Sequence, residues 1–221
     1  VGEGNPESPE RYAAFLDAQH WMNAADLISA QTGGESPMTA AWRSAVQLED
    51  YQLFVVQKAL AMPRVRLLLA DDVGLGKTIE AGLVISELIV QRRIRRIIII
   101  TPASLQTQWK EEMEEKFSLE FTIMDRKRQR LVERERVLDV NPWTQFPRII
   151  TSMHYVRQAN ELDRFMSACK EIEGSDDEPL HLAWDLLIVD EAHNLSPDRR
   201  DGQDSQLCDM LRVVGPHAEH R

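Results

Sequence analysis

Cysteine and excess positive charge are both scarce in this sequence. Two cysteines, Cys169 and Cys208, stand far apart and form no CxxC pair. That excludes a disulfide-stapled scaffold and a cysteine-held metal cluster, and it points to a reducing compartment, with the cytoplasm as the expected location. Lysine and arginine number 26 against 36 acidic residues, for a net charge of −10. A chain that coats nucleic acid is usually basic, so any nucleic-acid contact here must be local. Two short basic runs exist, Arg92, Arg93, Arg95 and Arg96, then Arg126, Lys127, Arg128 and Arg130. Both read first as solvated ends of helices and strands. No apolar run is long enough to span a bilayer. No secretory signal is recognisable, although Val1 is not an initiating methionine, which leaves room for an earlier N-terminus.

The 221 residues suit one large domain, or one domain with an appendage, and can bury a sizeable core without staples. Residues 1–47 read as a helical N-terminal extension. Tyr12, Phe15, Leu16 and Trp21 form an apolar stripe, the stretch from Gln31 to Pro37 reads as a loop, and a further helix is expected near Thr39. From residue 48 to 221 the rhythm changes. Apolar runs at Val65 to Ala70, Arg96 to Thr101, Phe121 to Met124, Arg148 to Thr151 and Leu186 to Val189 lack polar alternation, as buried parallel strands do. Between them lie helix candidates at Thr78 to Gln91, Ser104 to Phe117, Arg126 to Leu138 and Met153 to Ala168. Strand and helix in alternation predict an α/β fold with a doubly wound, mostly parallel sheet, whose ligands bind at the carboxyl ends of the strands.

The first apolar run leads into Asp71-Asp72-Val73-Gly74-Leu75-Gly76-Lys77-Thr78, followed by a helix. This is the context of a phosphate-binding loop. Glycines let backbone N–H groups turn inward around phosphate oxygens, and the helix N-terminus adds positive potential. Asp72, Val73, Gly74, Leu75 and Gly76 would cradle the phosphates of ATP. Lys77 would reach the β- and γ-phosphates, and the Thr78 hydroxyl would ligate Mg²⁺. The strict pattern has glycine where Asp71 stands. Chance yields GxGK[ST] in a chain this size roughly once in a hundred tries, and the strand-loop-helix setting lowers that further.

The run from Trp184 to Val189 delivers Asp190-Glu191-Ala192-His193 at its carboxyl end. Phosphoryl transfer to water needs a metal held against the phosphates and a group that orients the water. Asp190 suits the metal, partly through water, Glu191 suits the water, and His193 could sense the γ-phosphate. Alone, these four letters would be an acidic turn at a strand end. Downstream of a phosphate loop in the same sheet, they read as catalytic.

Here the chain resembles a known family. Asp72 to Gly82 resembles motif I of the Swi/Snf-related ATPases of helicase superfamily two, and Asp190 to His193 their motif II. Thr101-Pro102-Ala103-Ser104-Leu105-Gln106-Thr107-Gln108-Trp109 resembles motif Ia, and Ile149 to Tyr155 motif Ib or its neighbour. Leu48-Glu49-Asp50-Tyr51-Gln52 resembles the glutamine motif, in which Gln52 would read the adenine edge with Tyr51 packed nearby; Glu49 and Asp50 replace the family's basic residue and proline. The Glu80-Ala81-Gly82 extension and Asn141-Pro142-Trp143 are similar to bacterial members, either RapA-like polymerase-recycling ATPases or the Swi/Snf-like helicase of the DISARM phage-defence system. Asp71-Asp72, Pro102 to Gln106 and Asn141-Pro142-Trp143 incline the resemblance toward the second.

The resemblance implies the first of two RecA-like lobes, with ATP and Mg²⁺ in the cleft and double-stranded DNA lying across both. DNA contacts would go to the phosphate backbone without sequence preference. Ser104, at a helix start, Gln106, Thr151 and Ser152 would supply some of them, while Trp109 reads as core packing. The family's motif III and second lobe are not found before Arg221, so the fragment is expected to bind ATP·Mg²⁺ weakly and hydrolyse it poorly. The alternatives are an RNA helicase lobe of the DEAH type and a non-catalytic interaction module ordered by nucleotide.

Overall fold

Ile97, Ile98, Ile99 and Ile100 follow one another in sequence, and all four are fully buried. Four consecutive buried side chains require a strand covered on both faces, because neighbouring side chains point to opposite sides. The computed structural model has this arrangement, and describes residue 38 and residues 44–46, 48–70, 76–135, 140–174, 181–195 and 206–221. The N-terminal extension predicted over residues 1–47 lies outside these, apart from Met38 and residues 44–46.

Among the described residues the order is α1 (Asp50–Leu60), α2 (Lys77–Val90), β1 (Ile97–Thr101), α3 (Gln106–Phe117), β2 (Thr122–Met124), α4 (Arg126–Glu135), β3 (Arg148–Ser152), α5 (Met153–Val156), α6 (Ala159–Glu173), β4 (Trp184–Val189), α7 (Gln206–Val214) and β5 (Ala218–His220). The strands form one sheet in the order β2-β3-β1-β4-β5, with every pairing parallel. The α/β, doubly wound fold expected from the sequence is therefore present. On one face Ile97, Ile99, Ile150 and Leu186 pack with residues of α1, α2 and α3, including Val56, Leu83 and Met113, and Met38 joins this core. On the other, Ile98, Ile100, Ile149 and Leu187 pack with residues of α5, α6 and α7, including Phe165 and Met210. The odd and even isoleucines of β1 thus serve separate cores.

Three predicted elements differ in the structure. Val65 to Ala70 is extended but forms no strand: its ladder bonds both go to Arg221, from the Leu67 N–H and to the Val65 carbonyl. With pairing limited to one residue, Leu68 stays 78% exposed. The helix expected from Met153 to Ala168 is two helices, because Ser152 caps a short α5 and Gln158 starts α6 in an extended conformation. The basic run at Arg92 to Arg96 is not simply solvated. Arg93 donates to the carbonyls of Leu60, Met62 and Pro63, closing the end of α1. Arg96 donates to the carbonyls of Ala183 and Trp143 and lies 4.8 Å from the Trp184 ring centroid. Asn141 caps the turn that carries Trp143 and donates to the Arg164 carbonyl, so Asn141-Pro142-Trp143 braces the second core.

Candidate functional site

Asp71, Asp72, Val73, Gly74 and Leu75 lie outside the described residues. The end of the expected phosphate loop is described. Gly76 holds a φ of +89° at the N-cap of α2. A side chain would strain that left-handed conformation by about 1–2 kcal/mol. Lys77 and Thr78 are the first two helical residues, both half-buried. Backbone N–H groups at such a start have no intrahelical partner and suit an anion.

Gln52 reaches this loop from α1. It is 5% exposed, and its Oε1 accepts the Glu49 N–H at 3.2 Å in a reciprocal capping box with Glu49. A Cβ built on Gly76 would lie 3.3 Å from Gln52 Nε2, so the amide NH₂ stands at the loop's end. Glu49, the departure from the family pattern, serves as the helix cap. Tyr51 is 46% exposed beside it.

Asp190 sits where β4 ends. Its Oδ2 accepts the Thr101 hydroxyl at 2.9 Å and the Trp109 indole N–H at 2.8 Å, and its Oδ1 accepts the Glu191 N–H at 2.8 Å. Its own N–H donates to the Ile100 carbonyl, which continues the β1–β4 ladder by one residue. Both neighbours of the acid therefore come from the strand and helix that carry motif Ia. Trp109 is 5% exposed, so the reading of it as core packing is right about its ring and misses its N–H. The available signal was physical: a buried indole N–H needs an acceptor.

Glu191 has a φ of +53°, a left-handed conformation unusual for glutamate. Such strain, of order 1–3 kcal/mol, gathers at functional sites. Glu191 Oε2 pairs with His193 Nδ1 at 3.0 Å on the surface.

The residues expected at nucleic acid divide. Ser104 is exposed but lies in the 3₁₀ turn Ala103–Leu105, and α3 begins two residues later, at Gln106. Gln106 is 9% exposed, with Nε2 lacking a hydrogen-bond partner among the described residues, so it points inward. Thr151 is fully buried and its hydroxyl donates to the Met124 carbonyl; it is a sheet contact, not a surface one. Ser152 is 6% exposed and its Oγ accepts the Tyr155 N–H, which makes it a helix cap. Strand ends that read as exposed in sequence are covered here because α5 folds directly over β3. The single proton of the Tyr155 hydroxyl under that cover lies between Gln129 Oε1 at 2.5 Å and Glu161 Oε2 at 3.0 Å, and burial and the Glu161 charge push its pKa up.

The donor set fits ATP·Mg²⁺. Among the described residues no group of three His, Cys, Asp or Glu side chains could hold a metal. Mg²⁺ does not need one, since it is commonly bound by one or two protein oxygens together with phosphate and water. Asp190 and the Thr78 hydroxyl are the hard oxygen donors at these strand and helix ends.

A profile of the SNF2-related domain matches residues 46–212. The chain belongs to the SNF2-related family. The RNA polymerase-associated protein RapA of Vibrio cholerae is 37% identical over 183 residues, covering 82% of this chain and 17% of that protein. RapA of Proteus mirabilis is 39% identical over 171 residues, covering 76% and 16%. The chain thus spans about a sixth of the length of these relatives. Among solved structures, the Sulfolobus solfataricus SWI2/SNF2 ATPase core in complex with dsDNA has a similar fold, with a TM-score of 0.56 at 17% identity, covering 84% of this chain and 33% of that one.

Proposed function

We propose that this chain is the ATP-binding lobe of an SNF2-type ATPase that couples ATP hydrolysis to movement along double-stranded DNA. The observation that carries it is the fixing of Asp190 at the carboxyl end of β4 by Thr101 and Trp109 of the motif Ia segment. A carboxylate fixed by three protein donors at a strand end, beside a strained Glu191, suits a metal-assisted water attack. Lys77 binds the β- and γ-phosphates, Thr78 and Asp190 hold Mg²⁺, Glu191 orients the water, and Gln52 with Tyr51 receives the adenine. Mg²⁺ supplies charge neutralisation on the phosphates when bound.

Double-stranded DNA is favoured because the solved core with this fold carries dsDNA. With Thr151 and Ser152 internal, the backbone contacts fall to exposed groups at the strand ends, namely Ser104, Arg126 and Arg130. The second RecA-like lobe, from the same protein, supplies the other wall of the cleft. Of the two bacterial settings, polymerase recycling is favoured over phage defence by the identity to RapA relatives.

The test is ATPase activity of the gene's full-length product with and without duplex DNA, and with RNA as the comparison. Stimulation by duplex DNA that is abolished in Lys77→Ala supports the reading. Stimulation by RNA alone, or an unaffected Lys77→Ala variant, overturns it.

A further inference from the structure

Asp190 Oδ2 accepts two hydrogen bonds and Oδ1 accepts one. A carboxylate has about four acceptor positions. Oδ2 is therefore saturated by Thr101 and Trp109, and Oδ1 keeps the remaining position. We propose that Trp109 and Thr101 are positioning residues for phosphoryl transfer, which lock the Asp190 carboxylate in one rotation and leave Oδ1 as the oxygen that meets the metal side. This rests on the ATPase reading given above and deepens it.

The geometry favours this role over simple packing. A buried indole N–H could be satisfied by a backbone carbonyl at less electrostatic cost; here it faces a carboxylate at 2.8 Å, a charge-assisted bond. Thr101 is fully buried at the end of β1, with its hydroxyl on the same oxygen. Partners that orient a metal-binding carboxylate act in this way. The arrangement also joins two parts of the lobe. Trp109 lies one helical turn into α3, which the 3₁₀ turn holding exposed Ser104 leads into.

The test uses the full-length product and a fluorescent N-methylanthraniloyl-ADP, titrated with Mg²⁺. Trp109→Phe keeps a smaller aromatic ring and removes the N–H; Thr101→Val keeps the shape and removes the hydroxyl; Thr101→Ser restores it. The expected result is about a tenfold or greater rise in the Mg²⁺ concentration that supports nucleotide binding for Trp109→Phe and Thr101→Val. Thr101→Ser should behave as wild type, and affinity without Mg²⁺ should be unchanged in all three. Wild-type Mg²⁺ dependence in both Trp109→Phe and Thr101→Val, alongside its loss in Asp190→Asn, overturns the positioning role and leaves the ATPase reading standing. If Lys77→Ala and Asp190→Asn also bind Mg²⁺-nucleotide as wild type does, both readings fall. Should Trp109→Phe not fold, as judged by its denaturant midpoint, the two Thr101 variants decide the matter.

Discussion

Gly82 of α2 lies against the ring of Phe117 of α3 so closely that a Cβ would stand 2.2 Å from Phe117 Cε2 and 2.5 Å from Cζ. The absence of a side chain at Gly82 thus permits close contact between α2 and α3.

Gly82→Ala should therefore destabilise the domain. Alanine gains up to about 1 kcal/mol of helix propensity over glycine, but overpacking costs about 1–3 kcal/mol, and a clash this deep falls at the upper end. Urea unfolding should show a net loss. Phe117→Leu in the same chain should recover part of it, and additive losses in the double variant would show that the contact is not the cause.

Acid should loosen the segment that feeds the phosphate loop. His220 Nδ1 accepts the Val65 N–H at 3.0 Å, so it must be unprotonated. Its pKa is lowered from 6.5 by burial first, then by the Arg93 charge and, less, Arg64, against Glu219 and Asp185. A base with a depressed folded pKa resists protonation, so its contribution is complete above 6.5 and is lost as pH falls from there toward the lowered value. Denaturant midpoints measured between neutral and mildly acidic pH should fall for wild type. His220→Asn, which can accept the same N–H and does not titrate, should fall less; parallel curves would refute this.

The two thiols should differ in reactivity. Burial, then the Glu173 charge, pushes the Cys169 pKa up to about 12, whereas Cys208 is half-buried. The thiolate is the reactive form, so at pH 8 only about one Cys169 in ten thousand is available. Iodoacetamide should label Cys208 first and Cys169 only after unfolding, as peptide mass mapping would show. Early labelling of Cys169 in folded protein would contradict its burial.

Arg126 and Arg130 are both exposed on α4, just past the carboxyl end of β2. Replacing each with glutamine in the full-length product should weaken duplex DNA binding equally across sequences. Each lost phosphate contact should also lower the slope of log K against log salt by about 0.9. An unchanged slope in the double variant would place the DNA elsewhere.

Much of this architecture was legible in sequence because the sheet is covered on both faces. Runs such as Ile97 to Ile100 carry no polar residue, so β1, β3 and β4, and α3 after β1, could be placed within two residues. Gly76 at the start of α2 and Asp190 at the end of β4 stood out for another reason: the chemistry expected of them demands fixed residue types at helix starts and strand ends. Val65 to Ala70 misled because its composition is that of a central strand while, among the described residues, its ladder partner is Arg221. Thr151 and Ser152 misled because polarity at a strand end says nothing about what folds over it.

The order of residues by itself determined the strand-helix alternation, the family, and which side chains are candidates to meet phosphate or metal, because these depend on local pattern and residue chemistry. Tertiary structure decided which polar groups face outward and which are consumed inside. Trp109 precedes Asp190 by 81 residues, and their hydrogen bond exists only because β1 and β4 pair side by side, bringing the helix that follows one strand against the acid that ends the other.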